Sequence, residues 1–256
     1  MQRRLHRGEI VSRGPPKILD VGHGTGFWLA DMKNLYPNSE LTGFDLASVV
    51  PNQPTLRRGI RHLMVDFEQP HWPVNEGSMD LIHMSNLCGS VSDWASLCAT
   101  AYRYLTPGTG KLELVEFDWE PLCDDNTLPL SAPLHLWWQT MKQASAYNGR
   151  PIEYPHHLTR HLEQMGYEIE HNENIRIQSY EDYRDGDGLA SRIARRYMLA
   201  MGRSPDEAGR PFRSFSGMSM ELFTSVAQWT PEQVEQLQED LYTPIQMSSV
   251  HLYHRL

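Results

Sequence analysis

Between Lys17 and Phe117 the apolar residues follow two rhythms. Short continuous runs at Lys17–Val21, Glu40–Asp45, Ile60–Val65, Met79–Met84 and Lys111–Phe117 read as buried strands. Between them the spacing changes to that of a helix. Trp28, Met32 and Leu35 share one face, as do Trp94, Leu97, Ala101 and Leu105 before the stop at Thr106-Pro107-Gly108. Glu113 sits between apolar neighbours in the fifth run. Strands that alternate with helices in this way predict a parallel sheet with helices on both faces.

The rhythm is less regular further on. Glu120 to Pro133 reads as a loop. Leu134, Trp138 and Met141 predict a helix, and Leu158, Leu162 and Met165 predict another that Gly166 ends. Tyr167–Ile177 alternates as a sixth strand. The stretch 178–248 breaks the pattern, and its clearest element starts at the capping box Thr230-Pro231-Glu232-Gln233, with Val234, Leu237 and Leu241 as the buried face. Ser249–His254 reads as a last, antiparallel edge strand. The expectation is a doubly wound α/β fold, a mostly parallel seven-stranded sheet in one domain over 1–256, with 178–248 as a helical insertion that covers the site.

The chemistry is concentrated at the first strand-to-helix turn. Asp20-x-Gly22-x-Gly24-x-Gly26 follows strand one directly. Dinucleotide-binding loops want G-x-G-x-x-G, which seats a pyrophosphate on a helix N-terminus. Here an acid ends the strand and the glycines recur at every second position. An acid repels a pyrophosphate but pairs with an ammonium group, so the pattern suits S-adenosylmethionine (SAM), which carries an amino group, a sulfonium and no phosphate. Asp45 ends strand two roughly twenty residues beyond the loop, where a ribose diol is usually held. Asp66 follows strand three, where a carboxylate can accept from an adenine amino group. The neighbouring side chains His23, Trp28, Leu46, Phe67 and Met84 complete the candidate cofactor set.

In such sheets ligands bind beyond the carboxyl ends of the strands. A cofactor across strands one to three points its methyl towards strands four and five. The candidate acceptor pocket is therefore Ser85, Asn86, Trp119, His135, Trp138, Tyr154 and His157, and His83 is the candidate general base, with a buried, hydrogen-bonded histidine as the favoured alternative. His157 and His161 share a helix face, but no third ligand accompanies them, so no metal is expected.

Composition narrows the class. The formal net charge of −9 disfavours nucleic acid as partner. Cys88, Cys98 and Cys123 are odd in number and form no C-x-x-C, which fits a reducing compartment. No apolar run is long enough to span a membrane, and no signal segment is present. Six arginines between Arg192 and Arg213 read as a solvated basic face.

From Ile18 onward the chain resembles the LaeA-like methyltransferases, fungal class I enzymes linked to secondary metabolism. The residues that carry the resemblance are Leu19–Trp28, Asp80-Leu-Ile-His83, Cys88-Gly-Ser-Val91 with Trp94, Leu105–Gly110, Glu113–Asp118 and, most specifically, Glu120-Pro-Leu-Cys-Asp-Asp125. The resemblance implies cofactor roles for Asp20, Gly22, Gly24, Gly26, Asp45 and Asp66. It also implies a cytoplasmic or nuclear protein working beside velvet-type partners. His23 stands where the family usually has a small residue, and Ser85 where it often has an arginine. The functional expectation is SAM-dependent methyl transfer to a small-molecule natural product or a regulatory target, with S-adenosylhomocysteine as product. The competing expectation is a SAM-binding regulatory protein that transfers nothing.

Overall fold

Register across five strands decides which side chain meets which helix layer. The structure is a computed structural model that describes His6, 8–47, Val50, 53–178, 214–246 and 251–256. Strands β1 (Lys17–Val21), β2 (Glu40–Asp45), β3 (Ile60–Met64), β4 (Leu81–Ser85) and β5 (Lys111–Val115) form a parallel sheet in the order β3-β2-β1-β4-β5. Helix α1 (Phe27–Leu35) covers one face, the short α2 (Pro54–Arg57) leads into β3, and α3 (Trp94–Tyr104) covers the other face. Ile18 pairs in register with Leu41 and Leu81, and all three pack with Leu29 and Met32 of α1. One residue on the pleat reverses: Leu19, Val21, Phe44, Ile82 and Met84 pack with Leu97, Ala101 and Tyr104 of α3. Each such side chain contributes about 1.5–3 kcal/mol on burial.

The strand order reverses between β1 and β4, which is where an α/β sheet of this kind opens a crevice. Asp93 caps α3, its carboxylate accepting from the Ser96 N–H at 3.1 Å and the Ser96 hydroxyl at 2.7 Å. Helix α5 (Leu158–Gln164) packs on α3, and the Tyr167 hydroxyl donates to the Cys98 carbonyl at 2.9 Å.

The chain's contacts gather into two compact units, although the sequence reading treats 1–256 as one domain. Met1–Leu87, Val91–Glu116 and Pro155–Glu170 make the unit just described, and Cys88–Ser90, Phe117–Tyr154 and His171–Leu256 make the second. In the second unit α4 (Pro133–Tyr147) packs with α6 (Ser214–Ser225) and α7 (Pro231–Gln246). Leu134, Trp137, Trp138 and Met141 meet Phe223, Val234, Leu237 and Leu241 there. The Trp137 indole donates to the Ser219 hydroxyl at 2.6 Å, which satisfies its buried N–H. The capping box closes as the sequence predicts: Thr230 N–H donates to the Gln233 side chain at 2.8 Å, and Gln233 N–H to the Thr230 hydroxyl at 3.3 Å.

The parallel sheet has five strands, not seven. β6 (Asp118–Leu122), β7 (Arg176–Gln178) and β8 (Tyr253–Arg255) form a separate antiparallel sheet in the order β6-β8-β7. The predicted loop after Trp119 therefore begins as a strand, and β5 stops at Val115 because Phe117 joins the second core. The alternation of Tyr167 and Ile169 reflects packing on Cys98, Leu112 and Leu114 instead of strand pairing. The last strand is antiparallel as expected, but its partners are β6 and β7. Residues 179–213 with their arginines and 247–248 of the predicted insertion, and 249–250 of the predicted last strand, lie outside the described residues.

Two measurements test this packing. A Cβ on Gly110 would lie 2.6 Å from the Thr106 nitrogen and 2.8 Å from the Met79 carbonyl oxygen, both rigid backbone. Gly110→Ala should therefore lower the unfolding free energy by about 1–3 kcal/mol in urea titrations. His254, 1% exposed on β8, is pushed down to about 4, mainly by burial. The unfolded chain then binds the proton more readily, so stability is full above the ordinary imidazole range and declines as pH falls towards the folded value. That decline should reach about 3 kcal/mol and be absent in His254→Gln, read by denaturation at stepped pH.

Candidate functional site

β1 ends at Val21, and the glycine loop that follows is bound to β2 at three points. Gly22 N–H and His23 N–H both donate to the Phe44 carbonyl, at 2.8 and 3.0 Å. Gly24 N–H donates to Asp45 Oδ2 at 2.8 Å. Gly22 has φ 72°, and a Cβ there would lie 2.4 Å from Leu87 Cδ2, so only glycine permits this approach. Gly24 has φ 51°, and nothing lies within 4 Å of a Cβ built on it. Its backbone is open to a ligand. Asp45 Oδ1 accepts from the Ala47 N–H at 3.2 Å. Leu46 is 56% exposed and Met64, the register partner of Asp45, is 71% exposed, so apolar surface adjoins the acid.

Beneath α1 a line of residues crosses the sheet. Register aligns His62, Gly43, Asp20, His83 and Glu113 on β3, β2, β1, β4 and β5. His83 Nδ1 lies 2.9 Å from Asp20 Oδ1, its Nε2 lies 4.0 Å from Glu113 Oε2, and the Trp28 indole stacks on its ring at 3.8 Å and 7°. Asp20 is 3% exposed and His83 5%. Asp20 turns inward to His83 because β1 places it on the α1 face of the pleat, and His83 is a buried brace beneath an indole, the alternative that the sequence favours over a general base.

The remaining candidates divide. Asp66 caps its own turn, accepting from Glu68 N–H at 3.1 Å and the Gln69 amide at 3.0 Å. Phe67 and Met84 are core residues of the α3 face. Ser85 is half-buried and Asn86 exposed, with φ 55°. The Leu87 N–H that follows donates to both oxygens of buried Glu116, at 3.0 and 2.9 Å. His157 lies exposed in the first unit, whereas Trp119, His135, Trp138 and Tyr154 belong to the second. Trp138 points into the α4–α6–α7 core, 4% exposed. His135 is half-buried, and burial chiefly holds it below the ordinary imidazole range. The sequence reading did not single out Gly43 and His62, which register sets in this line. A glycine in mid-strand beside a histidine in the glycine loop is the signal that exposes them.

With this geometry in place, comparison with known proteins gives the family. Residues 1–172 match a family described as a methyltransferase domain. The chain belongs to the methyltransferase-domain family. The chain is 40% identical over 168 residues to the secondary metabolism regulator LAE1 of Cochliobolus heterostrophus, covering 64% of this chain and 53% of that protein. It is 33% identical over 244 residues to the protein-methionine methyltransferase laeA of Emericella nidulans, covering 94% of this chain and 60% of that one. The LaeA-like reading of the motifs therefore holds, and the chain spans about half to three-fifths of the length of these curated relatives. Among solved structures, Haemonchus contortus phosphoethanolamine N-methyltransferase 2, in complex with phosphomonomethylethanolamine and S-adenosylhomocysteine, shares the fold at TM-score 0.52 and 11% identity. The match covers 96% of this chain and 48% of that one. Among the described residues of this methyltransferase domain, no helix is long and apolar enough to cross a membrane.

Because Trp138 fills the second core, Trp138→Ala should cost about 3–5 kcal/mol of stability, the usual range for a buried aromatic truncated to alanine. Thermal unfolding measures this. Unchanged stability with lost activity would return Trp138 to the acceptor pocket.

Proposed function

We propose that this domain binds SAM at the carboxyl end of β1 and β2 and transfers its methyl group to an acceptor within a regulatory pathway of secondary metabolism. The carrying observation is the pairing of the bare Gly24 backbone with Asp45. A carboxylate has about four lone-pair sites, and the Gly24 and Ala47 N–H groups occupy two of Asp45's. About two remain, which suits the two hydroxyls of a ribose. Leu46 and Met64 offer exposed apolar surface beside it for an aromatic base. SAM supplies a sulfonium-activated methyl group when bound.

The protein's own part is positioning. Gly22, His23 and Gly24 hold the loop backbone, Asp45 orients the ligand through its free lone pairs, and the Asp20–His83 pair keeps β1 and β4 together below. With His83 buried, the chain suits an acceptor that needs no deprotonation, such as a thioether or a neutral amine. The E. nidulans relative's name specifies a methionine acceptor, which is a thioether. A small-molecule natural product of that chemistry remains within the proposal. A velvet-type partner and a cytoplasmic or nuclear location rest on the family resemblance alone.

Calorimetric titration with S-adenosylhomocysteine tests the reading. Binding is expected, and Asp45→Ala should weaken it about tenfold or more, since hydrogen bonds to a charged group contribute about 1.5–3 kcal/mol each. An affinity indifferent to Asp45→Ala would remove the ribose assignment, and release of S-adenosylhomocysteine from SAM with a thioether acceptor would establish transfer.

A further inference from the structure

The carboxyl edge of the sheet contains a pair of imidazoles, separate from His83. His23 stands between two glycines of the loop, yet its side chain is only 8% exposed. Its seat is the space above Gly43, where a Cβ would lie 2.5 Å from His23 Cδ2 and 2.8 Å from Cγ. Gly26 makes similar room for His62, since a Cβ there would lie 3.0 Å from His62 Cε1. The two rings meet edge to face, with centroids 4.8 Å apart at 70°.

Hydrogen bonds define both tautomers. His62 Nε2 lies 2.9 Å from the Leu56 carbonyl, and His23 Nδ1 lies 2.8 Å from the Gly24 carbonyl. A carbonyl only accepts, so each of these nitrogens carries the proton. His62 Nδ1 is left as a buried lone pair with no hydrogen-bond partner among the described residues. A second proton there would have no acceptor and would set a cation against the His23 ring. Burial chiefly holds His62 below the ordinary imidazole range. The Leu56 carbonyl opposes that effect, His23 and Arg57 reinforce it, and Asp20 opposes it. The charged and titratable groups around the pair are thus Asp20 from β1, Asp45 from the end of β2 and Arg57 from α2.

We propose that His23 is a positioning residue for the glycine loop. Its ring, seated over Gly43 against a neutral His62, holds the Gly22–Gly24 backbone in shape, and protonation of His62 unseats it. The loop's order rests on this geometry alone, whereas the consequence for a ligand rests on the SAM reading above. The sign follows from the unprotonated His62 Nδ1: the loop is ordered above the ordinary imidazole range and loosens as pH falls from there towards the lowered range of His62.

Hydrogen–deuterium exchange of the peptide spanning Gly22–Gly26 tests the loop, and calorimetry with S-adenosylhomocysteine tests the ligand. Between about pH 7.5 and about pH 4.5, a window that runs from above the ordinary imidazole range to below it, wild-type loop protection should fall after correction for intrinsic exchange. A fall of at least about fivefold, matched in S-adenosylhomocysteine affinity, is expected, the lower end of ordinary coupling between sites. His62→Gln keeps a donor for the Leu56 carbonyl but cannot titrate, so both profiles should flatten. His62→Phe serves the same purpose if the glutamine variant does not fold. His23→Asn keeps a donor for Gly24 without the ring, and should leave the loop poorly protected at both pH values. A flat wild-type profile, or a wild-type slope surviving in the His62 variants, overturns the proposal. An affinity that ignores the loop's slope overturns its link to the ligand. A His62-dependent slope with no S-adenosylhomocysteine binding at any pH supports the latch and removes the SAM reading instead.

Discussion

A carboxylate buried in the middle of a sheet must be met by a donor, and the Asp20–His83 hydrogen bond meets that requirement here. The two residues face each other in register on β1 and β4, the strands that flank the point where sheet order reverses. The stacked indole of Trp28 then closes the face from α1, so the same contact sets how the first helix lies on the sheet. Removing either partner would leave the other buried and unpaired, which costs more than the bond itself contributes. The residue that opens the loop motif thus acts first on the fold.

That division explains the shape of the loop. Its backbone is fastened to β2 through the Phe44 carbonyl and the Asp45 carboxylate, and its one large side chain folds down over Gly43. Gly43 has no conformational duty in β2; its lack of a side chain is what matters. His23 is compatible with the fold because β2 leaves a hole beneath it. The two positions are a matched pair.

Much of this architecture can be read from residue order. The β1–α1 turn, the strand ends at Asp45 and Asp66, and the Thr230 box all follow from local spacing, since caps and pleats involve neighbours in sequence. The second sheet does not. β6 and β8 pair across more than half the chain, and β8 is three residues long, so no local pattern specifies the partner. Tyr167 and Ile169 alternate as a strand would, yet alternation is equally what a segment packed on α3 and β5 requires. In the site, residue type identified the acids but not their direction. Asp20 and Asp45 both end strands next to the loop, and only register shows that one turns under α1 while the other stays at the edge.

The most specific stretch of the family resemblance turns out to hold structure together. Asp124 accepts from the Arg176 guanidinium at 2.6 Å and the Tyr253 hydroxyl at 2.8 Å, and the guanidinium lies over the Tyr253 ring at 3.6 Å. Asp125 accepts from the Thr127 hydroxyl at 2.8 Å and contacts His251. Both carboxyls are held below the usual carboxylate range, Asp124 first by Tyr253 and Asp125 first by Thr127. Exposed ion pairs contribute little one by one, but here two adjacent acids bind the residues that position β7 and β8. A three-residue C-terminal strand has too few ladder bonds to hold its register alone, so side chains from the segment after β6 complete it. The Asp124-Asp125 pair therefore belongs to the second unit's sheet, apart from the glycine loop of the first.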